Sequence, residues 1–456
     1  MPEDGREAAG VNRRRYLKVL GLAGAAGLAG CAGGGGSGGS SGSTDTSSGG
    51  DSSDSGSGGS AGGSTDTETS GSSDGDGSNS ITVGNLSPFS GGLGWIGPNS
   101  RRGIQTALEG EGGVNTAGVL ESSIEITEQD TETKPQPAIS GFKTLDSQDV
   151  PAMVGPSSTV TPSLVEPAQS SGLAFVSPMT GTIQLDDVGG EYVWRTVPSD
   201  SIGARCQAQY AYQEEGHRKM ALAYKNDKGS QSFSKASGEY FQNLGGEVLT
   251  EVALDPTASS YRSEVQKLQD SGAEVVSMTA GTEVSALFFK NYVEAGAKED
   301  FQLLLGNDVL TPDFIEEVGP DVIEGAVGQA PAPGPSYEQF AEQHQSMHDK
   351  EPGAFSAAAY DAMNLVALAF VKEGEANRQA VPNHLSDLGN PPGEKVSNFA
   401  AGKEVLANGG EIDYQGASNP QNFDDTGDPL GPFAALKAQD GEWSEVITYS
   451  ADELAE

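Results

Sequence analysis

Cysteine is almost absent from this sequence of 456 residues, which contains only Cys31 and Cys206. A small disulfide-stabilised scaffold needs a dense set of cysteines, so this class of protein is excluded. Histidine is nearly as scarce, with four residues, and none of them has acidic or cysteine neighbours at the spacing of a metal site. His344 and His348 lie four positions apart, but without a third ligand we interpret them as an exposed helix face. We therefore expect no metal and no cofactor.

Basic residues are also few, since 26 Lys and Arg oppose 65 Asp and Glu and leave a formal net charge of −39. Such a surface repels nucleic acid, which we exclude as a partner. It suits a protein in concentrated salt, where charge is screened over only about 3 Å at 1 M, and indicates a halophilic source. An ordinary acidic secreted protein is the alternative interpretation.

Motifs of common enzymes are missing as well. From residue 81 onward there is no Gly-x-Ser-x-Gly elbow, and the chain has no His-Glu-x-x-His pair. The glycine-rich turn at 90–97 lacks the Gly-Lys-Ser/Thr ending of a phosphate-binding loop. These motifs therefore give no support to catalysis, and we predict that the protein is not an enzyme.

The first 30 residues have the pattern of an export signal. Three arginines at 13–15 precede an apolar segment, 19–30, that is too short to span a bilayer. The segment ends at Leu28-Ala29-Gly30-Cys31, and the whole resembles a twin-arginine signal peptide with a lipobox. Cleavage before Cys31 would leave a lipidated cysteine that anchors the protein to the outer face of the cell membrane. An uncleaved signal anchor is the alternative.

Residues 31–80 form a tether in this interpretation. After Cys31 they are almost wholly Gly, Ser, Thr and Asp without an aromatic residue, and cannot bury enough apolar surface to fold. A coil of this composition and length would span about 40 Å.

Short apolar strands alternate with longer amphipathic helices from Ile81 onward, which predicts parallel α/β sheets. Proline-rich breaks at 197–198 and 331–335 look like crossings between two domains, and 433–449 is typical of a closing hairpin. A stripe at helical spacing predicts a core helix: Ala359, Met363, Val366 and Phe370.

Hydroxyl side chains follow the buried run that ends at Val154. Ser157, Ser158 and Thr159 come after Gly155-Pro156, just before a helix-like stretch that starts at Leu164. Free amide groups at the start of a helix, together with hydroxyls, could hold a carboxylate. Helix capping is the simpler alternative for these residues. Because several strands end in polar residues at one carboxyl edge of a sheet, we favour a ligand site.

Taken together, these features resemble the leucine/isoleucine/valine-binding protein family, the solute-binding components of ABC importers. The resemblance covers residues 81–449 and rests on the Ser-Gly-Gly after the first strand, on 155–159, on Ser177-Pro178 and on Arg195-Thr196 before 198–200. It implies two Rossmann-like lobes with parallel sheets, joined by three crossovers, with the ligand in the interlobe cleft. One lobe would comprise 81–198 plus 328–430, and the other 199–327 plus 431–456.

The resemblance also implies roles for particular residues. Two segments would hold the ligand carboxylate and part of its ammonium group: Ser158 and Thr159, with Ser157 beside them, and Thr180 with Thr182. Asp308 would bind the ammonium group across the cleft. A helix cap is the alternative role of Asp308, because a helix is predicted to begin nearby.

Specificity depends on two further positions. Lys228 occupies a position where members of the family often have Tyr. A cation in place of an aromatic wall argues against branched-chain specificity, unless this lysine points into solvent. Trp95 could form a wall against an apolar ligand side chain, or be ordinary packing.

The function implied by the resemblance is capture of a small amino acid, branched-chain or related, by hinge closure and delivery to a membrane permease with its ATPase. A binding protein for an amide, urea-type or other small polar solute is an alternative, as is a ligand sensor on the same fold.

Overall fold

Strands and helices alternate along residues 80–455, the part of the chain that this computed structural model describes. The predicted signal peptide, Cys31 and nearly all of the tether lie outside these residues. The strands are β1 Ser80–Ser87, β2 Ser123–Asp130, β3 Met153–Val154, β4 Phe175–Ser177, β5 Val193–Arg195, β6 Lys219–Lys225, β7 Glu247–Leu254, β8 Val275–Thr279, β9 Gln302–Leu305, β10 Val327–Pro331, β11 Glu394–Val396, β12 Ile412–Tyr414, β13 Asn422–Phe423, β14 Pro429–Leu430, β15 Phe433–Gln439 and β16 Glu442–Tyr449.

The α-helices lie mostly between the strands. They are α1 Gly97–Glu109, α2 Val114–Ala117, α3 Pro135–Ser147, α4 Val165–Ser171, α5 Asp200–Gln209, α6 Lys228–Asn243, α7 Arg262–Ser271, α8 Gly281–Glu294, α9 Pro312–Val318, α10 Pro320–Ile323, α11 Tyr337–His348, α12 Ser356–Glu373, α13 Ala380–Gly389, α14 Phe399–Ala407 and α15 Ala451–Ala455. Within residues 80–455, none of the helices has the length and apolar content that a membrane crossing would require.

Two sheets organise the molecule into two α/β lobes. The first lobe is built on a parallel sheet of five strands in the order β2-β1-β3-β4-β5. The second is built on seven strands in the order β16-β15-β10-β9-β8-β6-β7, of which β15 and β16 run antiparallel as the predicted hairpin. Helices cover the sheets, which explains why every residue of β3 and β4 is buried.

The strand β10 belongs to the second sheet. It pairs with β15 over Val327–Pro331, and with β9 at Val327 and Gly328. The lobe boundary predicted at residue 328 therefore differs from the structure, because this strand is hydrogen-bonded on both sides within the second lobe. The chain leaves that lobe only after residue 331.

Helix α12 closes the first lobe after the chain returns to it. Its predicted apolar stripe is fully buried, and it packs against the sheet and against α1. Gly103 of α1 permits this contact, since a Cβ atom there would lie 2.1 Å from the carbonyl oxygen of Ser356. The close packing fixes where α12 begins, and hence the position of the loop before it.

Candidate functional site

The carboxyl ends of the strands in both sheets face one cavity of about 580 Å³ between the lobes. Segments that follow β1, β3 and β4 line it from the first lobe, and segments that follow β8 and β9 line it from the second. The crossing segments close its back through Val197, Pro198, Pro331 and Pro333. This is the place where open α/β sheets bind ligands, and we call it the interlobe cleft.

Most of the cleft wall is apolar and comes from the first lobe. Its larger side chains are Leu93, Trp95, Ile96, Met179 and Phe355, and Tyr337 adds a third aromatic ring. Trp95 is 37% exposed, so a broad indole surface is available to a ligand. Phe355 has a φ of 67°, which is rare for a bulky residue and presents the first turn of α12 to the cleft.

Ser157 and Ser158 line the same wall and supply hydroxyl groups. The Ser157 hydroxyl lies 3.1 Å from that of Thr159. The Ser158 hydroxyl accepts a hydrogen bond from the Gly181 N–H at 3.1 Å, and its own proton has only a long contact of 3.5 Å with the carbonyl of Met179. Ser158 can therefore donate to a ligand without losing a strong internal bond.

Several amide groups between these serines and helix α4 are already bonded within the chain. The N–H groups of Val160 and Thr161 donate to the carbonyl of Ser157, and that of Leu164 donates to Thr161. A 3₁₀ turn at Thr161–Ser163 precedes α4 and uses the amide donors that we expected to face a ligand. These donors are therefore not available to a ligand, and the hydroxyls of Ser157 and Ser158 carry the polarity of this wall, while an anion site at the start of α4 stays a prediction.

The three threonines predicted for the site do not line the cleft. Thr159 is exposed, while Thr180 is fully buried with its hydroxyl 2.9 Å from the carbonyl of Pro156 and 2.7 Å from the hydroxyl of Ser177. The hydroxyl of Thr182 caps a 3₁₀ turn by accepting from Gln184. Because these hydroxyls serve the local fold, we leave the threonines out of the proposed ligand set.

Asp308 stands on the second lobe and is the single charged side chain among the described residues that line the cleft. It is exposed to the solvent of the cleft, yet the surrounding protein desolvates the carboxyl and raises its pKa. A hydrogen bond from the Gly281 N–H, at the start of α8, and the charge of Lys225 oppose this rise. The predicted helix cap is a different residue, since the Thr311 hydroxyl accepts from Phe314 at the start of α9.

Lys228 lies away from the cleft. It is exposed in the first turn of α6, and Asp227 caps that helix by accepting from Ser230. The cation closer to Asp308 is Lys225, at the end of β6, whose Nζ atom is 3.0 Å from Asp227. The structure thus agrees with the alternative in which Lys228 faces solvent.

A buried ion cluster fixes the first crossing. The Arg195 guanidinium is paired with Asp428 and, at 2.7 Å, with Asp186, which also accepts from the Ser199 hydroxyl. Burial opposes the charge of Arg195, but the hydrogen bonds and charges of the two acids outweigh it and raise its pKa. Ser199 is the N-cap of α5, so the cluster ties the first helix of the second lobe to the first lobe.

A second buried carboxylate, Asp361, holds the segment that leads to the third crossing. It accepts from the N–H groups of Ala417 and Ser418 at 2.8 and 2.7 Å, and from the hydroxyl of Tyr414 at 3.1 Å. Burial raises its pKa to about 6 against these bonds. The Ser418 hydroxyl also donates to the carbonyl of Thr196. The segment between β12 and β13 is therefore hydrogen-bonded to the residue just before the first crossing at 197–198.

Asp200 lies where the two lobes meet behind the cleft. Burial raises its pKa to about 6; Arg195 opposes the rise, and the charges of Asp186 and Asp308 add to it. Its N–H donates to the carbonyl of Gly181 at 2.7 Å, and a Cβ atom on Gly181 would lie 2.5 Å from its carboxylate. A side chain at position 181 would therefore displace the Asp200 carboxylate.

Sequence reasoning missed several cleft residues. Tyr337, Phe355 and Ser418 come from the last third of the described chain, and nothing local in the sequence marks them as ligand contacts. Asn307 and Thr282 could have been found, because both follow directly after strand ends.

The histidine pair differs from the prediction of an exposed face. His344 is fully buried, with its ring 4.7 Å from that of His348 and 5.5 Å from that of Phe340. Burial lowers its pKa to about 4, because the charged form is disfavoured between α11 and α1. Among residues 80–455 no cluster of three or more His, Cys, Asp or Glu side chains could hold a metal ion.

A second cavity of about 350 Å³ lies at the amino ends of the second-lobe strands, remote from the cleft. Two of its acids already have partners: Glu215 accepts from Lys437 at 2.8 Å, and Glu274 accepts from the N–H groups of Arg218 and Lys219. Those partners join neighbouring elements and give the two carboxylates a structural role.

The sequence of this chain is similar to those of known proteins. The family model for "Periplasmic binding protein" matches residues 80–396. A Leu/Ile/Val-binding protein homolog of Brucella melitensis is 25% identical over 372 residues, which cover 79% of this chain and 92% of that protein.

Solved structures share the fold. A leucine-binding protein of Thermotoga maritima has a TM-score of 0.65 at 20% identity and covers 82% of this chain and 99% of its own. A solute-binding protein of R. palustris in complex with 4-hydroxybenzoate has a TM-score of 0.63 at 19% identity and covers 82% of this chain and 97% of its own. Since the family model spans more than half of the sequence, the chain belongs to the periplasmic binding protein family, in its type I form.

Proposed function

We propose that this protein is the solute-binding component of an ABC importer and captures an amino acid with an apolar side chain, branched-chain or related. The observation that carries the proposal is the division of polar groups across the cleft, which Ser157 and Ser158 line from one lobe and Asp308 lines from the other. A zwitterion fits this arrangement, with its carboxylate at the serines and its ammonium at Asp308. Trp95 and Phe355 provide an apolar surface for its side chain.

Hinge closure follows from the same division. Contacts from both lobes stabilise a closed state, which a permease with its ATPase could recognise. We assign 81–198 and 332–430 to the first lobe and 199–331 and 431–456 to the second. The similarity to Leu/Ile/Val-binding proteins supports this role, and a binding protein of this family is not expected to be an enzyme.

Aromatic carboxylates are the second candidate class of ligand. The neighbour that binds 4-hydroxybenzoate and the three aromatic rings of the cleft favour them. Asp308 disfavours them, because an aromatic acid without an amine brings no positive charge to that carboxylate.

Isothermal titration in about 1 M KCl, chosen for the short screening length there, tests the proposal with L-isoleucine, L-phenylalanine, 4-hydroxybenzoate and acetamide. Binding of an amino acid alone supports it. Binding of 4-hydroxybenzoate or acetamide alone, or of no ligand at all, would contradict it.

We further propose that the protein is exported folded, lipidated at Cys31 and held outside the membrane by its tether, as in a halophilic archaeal lipoprotein. The arginine cluster, the lipobox and the charge of −39 support this view. The C31A variant should pass from the membrane fraction to the medium, whereas retention in the membrane fraction would contradict the anchor.

A further inference from the structure

The loop between β1 and α1 presents an important part of the apolar cleft wall. It carries Leu93, Trp95 and Ile96 into the cleft. It also contains three glycines, at 91, 92 and 94, and such a segment is intrinsically flexible. A flexible wall would have to be ordered whenever a ligand binds, which lowers affinity. The loop must therefore be held by groups outside it.

Asp130, the last residue of β2, is the main group that holds the loop. One carboxylate oxygen accepts from the N–H groups of Phe89 and Ser90 at 3.0 and 3.2 Å and from the N–H of Glu132 at 2.8 Å. The other oxygen accepts from the Ser90 hydroxyl at 2.6 Å. These are hydrogen bonds to an ionised acceptor, the stronger kind.

A second contact, from Thr133, holds the loop at Ser90 and Leu93. The Thr133 hydroxyl donates to the carbonyl of Ser90 and accepts from the N–H of Leu93, both at 3.1 Å. Gly91 lies against this support, since a Cβ atom there would be 2.3 Å from the carbonyl oxygen of Glu132. The loop is thus attached to the segment after β2 on both sides of Gly91 and Gly92, and the Ile96 N–H continues this support by donating to the carbonyl of Leu93.

We propose that Asp130 is a positioning residue for ligand recognition, which holds the β1–α1 loop so that Trp95 forms a preordered wall of the cleft. Asp130 does not line the cleft and acts only through the loop. The inference rests on the proposed function insofar as Trp95 contacts the ligand, but the order of the loop is independent of it.

Tryptophan quenching measures this order without any ligand. The chain has three tryptophans, of which Trp194 and Trp443 are 5% and 1% exposed, so acrylamide quenching reports mainly on Trp95. D130A should increase quenching, and D130N, which keeps one acceptor oxygen, should increase it less. The matched control is D255A: Asp255 accepts from the N–H and hydroxyl of Thr257 in an exposed turn of the second lobe. Circular dichroism verifies that each variant is folded.

Affinity for L-isoleucine measures the consequence. Loss of the hydrogen bonds to this carboxylate should weaken binding about tenfold in D130A. In a W95A background the same substitution should have almost no further effect, because the two residues act through one wall.

Unchanged quenching in D130A would overturn the proposal, as would an equal affinity loss with and without Trp95. If the wild type binds no amino acid, the proposed function fails, while the quenching comparison still decides whether Asp130 orders the loop.

Discussion

Replacing Asp308 by Asn tests the polarity of the cleft most directly. The amide has the same size and can still accept from the Gly281 N–H, but it carries no charge. Because no other described residue lining the cleft is charged, nothing can replace Asp308 as a partner of an ammonium group. A hydrogen bond between charged groups contributes about 1.5–3 kcal/mol, so affinity for L-isoleucine should fall about 10- to 150-fold.

The same substitution should act in the opposite direction on an aromatic acid. An acid such as 4-hydroxybenzoate suffers repulsion from the Asp308 carboxylate and should bind D308N more tightly than the wild type. Isothermal titration with both ligands measures the two effects. The matched control is D313N, which removes the same charge from an exposed position in α9 that does not line the cleft. It should leave both affinities unchanged.

Two results would refute this reasoning. If D308N and D313N weaken L-isoleucine binding equally, the effect comes from net charge and not from a contact. If D308N lowers the midpoint of chemical unfolding but leaves affinity intact, Asp308 only stabilises the start of α8 through Gly281.

Three further predictions concern stability. D428A should lower the free energy of unfolding by about 3–5 kcal/mol, because Arg195 would stay buried with Asp186 as its remaining acid partner, whereas E294A breaks an exposed pair with Arg262 and should leave the free energy of unfolding nearly unchanged; denaturant titration compares them. Since the folded pKa of Asp361 is raised from 3.8 to about 6, its contribution to stability is present below pH 4 and should decrease by about 3 kcal/mol as pH rises through 6, a slope that D361N should lack. Finally, with a net charge of −39, the melting temperature should rise with KCl towards 1 M; a decrease would contradict surface repulsion.

The sequence predicted the regular elements well because their signals are local. Strands were expected from Ile81 onward, and the first one is observed at Ser80–Ser87; the hairpin expected at 433–449 is observed as β15 Phe433–Gln439 and β16 Glu442–Tyr449. The same local signals failed wherever packing decides. His344 was assigned to solvent from its helix alone, yet α11 packs against α1 and buries it. β10 was divided between lobes because its second partner, β15, lies a hundred residues further along the chain.

The candidate site shows the same limit more sharply. Strand-end reasoning led to Ser157, Ser158 and Asp308, which line the cleft, because carboxyl ends of parallel strands meet at one edge. It could not distinguish a hydroxyl that lines the cleft from one that is buried in the core. Thr180 also follows the end of a strand, but its hydroxyl is hydrogen-bonded to the Ser177 hydroxyl and to the carbonyl of Pro156. That choice depends on how neighbouring loops pack, and no single segment encodes it.

The distribution of charge between the lobes also determines what a ligand must do. A ligand shifts the hinge equilibrium only by the difference between its affinities for the closed and open states. An aromatic acid could contact the serines and Trp95 of the first lobe, but it brings no positive charge to Asp308 on the second. We therefore expect it to bind without closing the cleft. The proposed amino acid would contact both lobes, so its ammonium group should add affinity and favour closure through the same interaction, and in D308N both should be lost together.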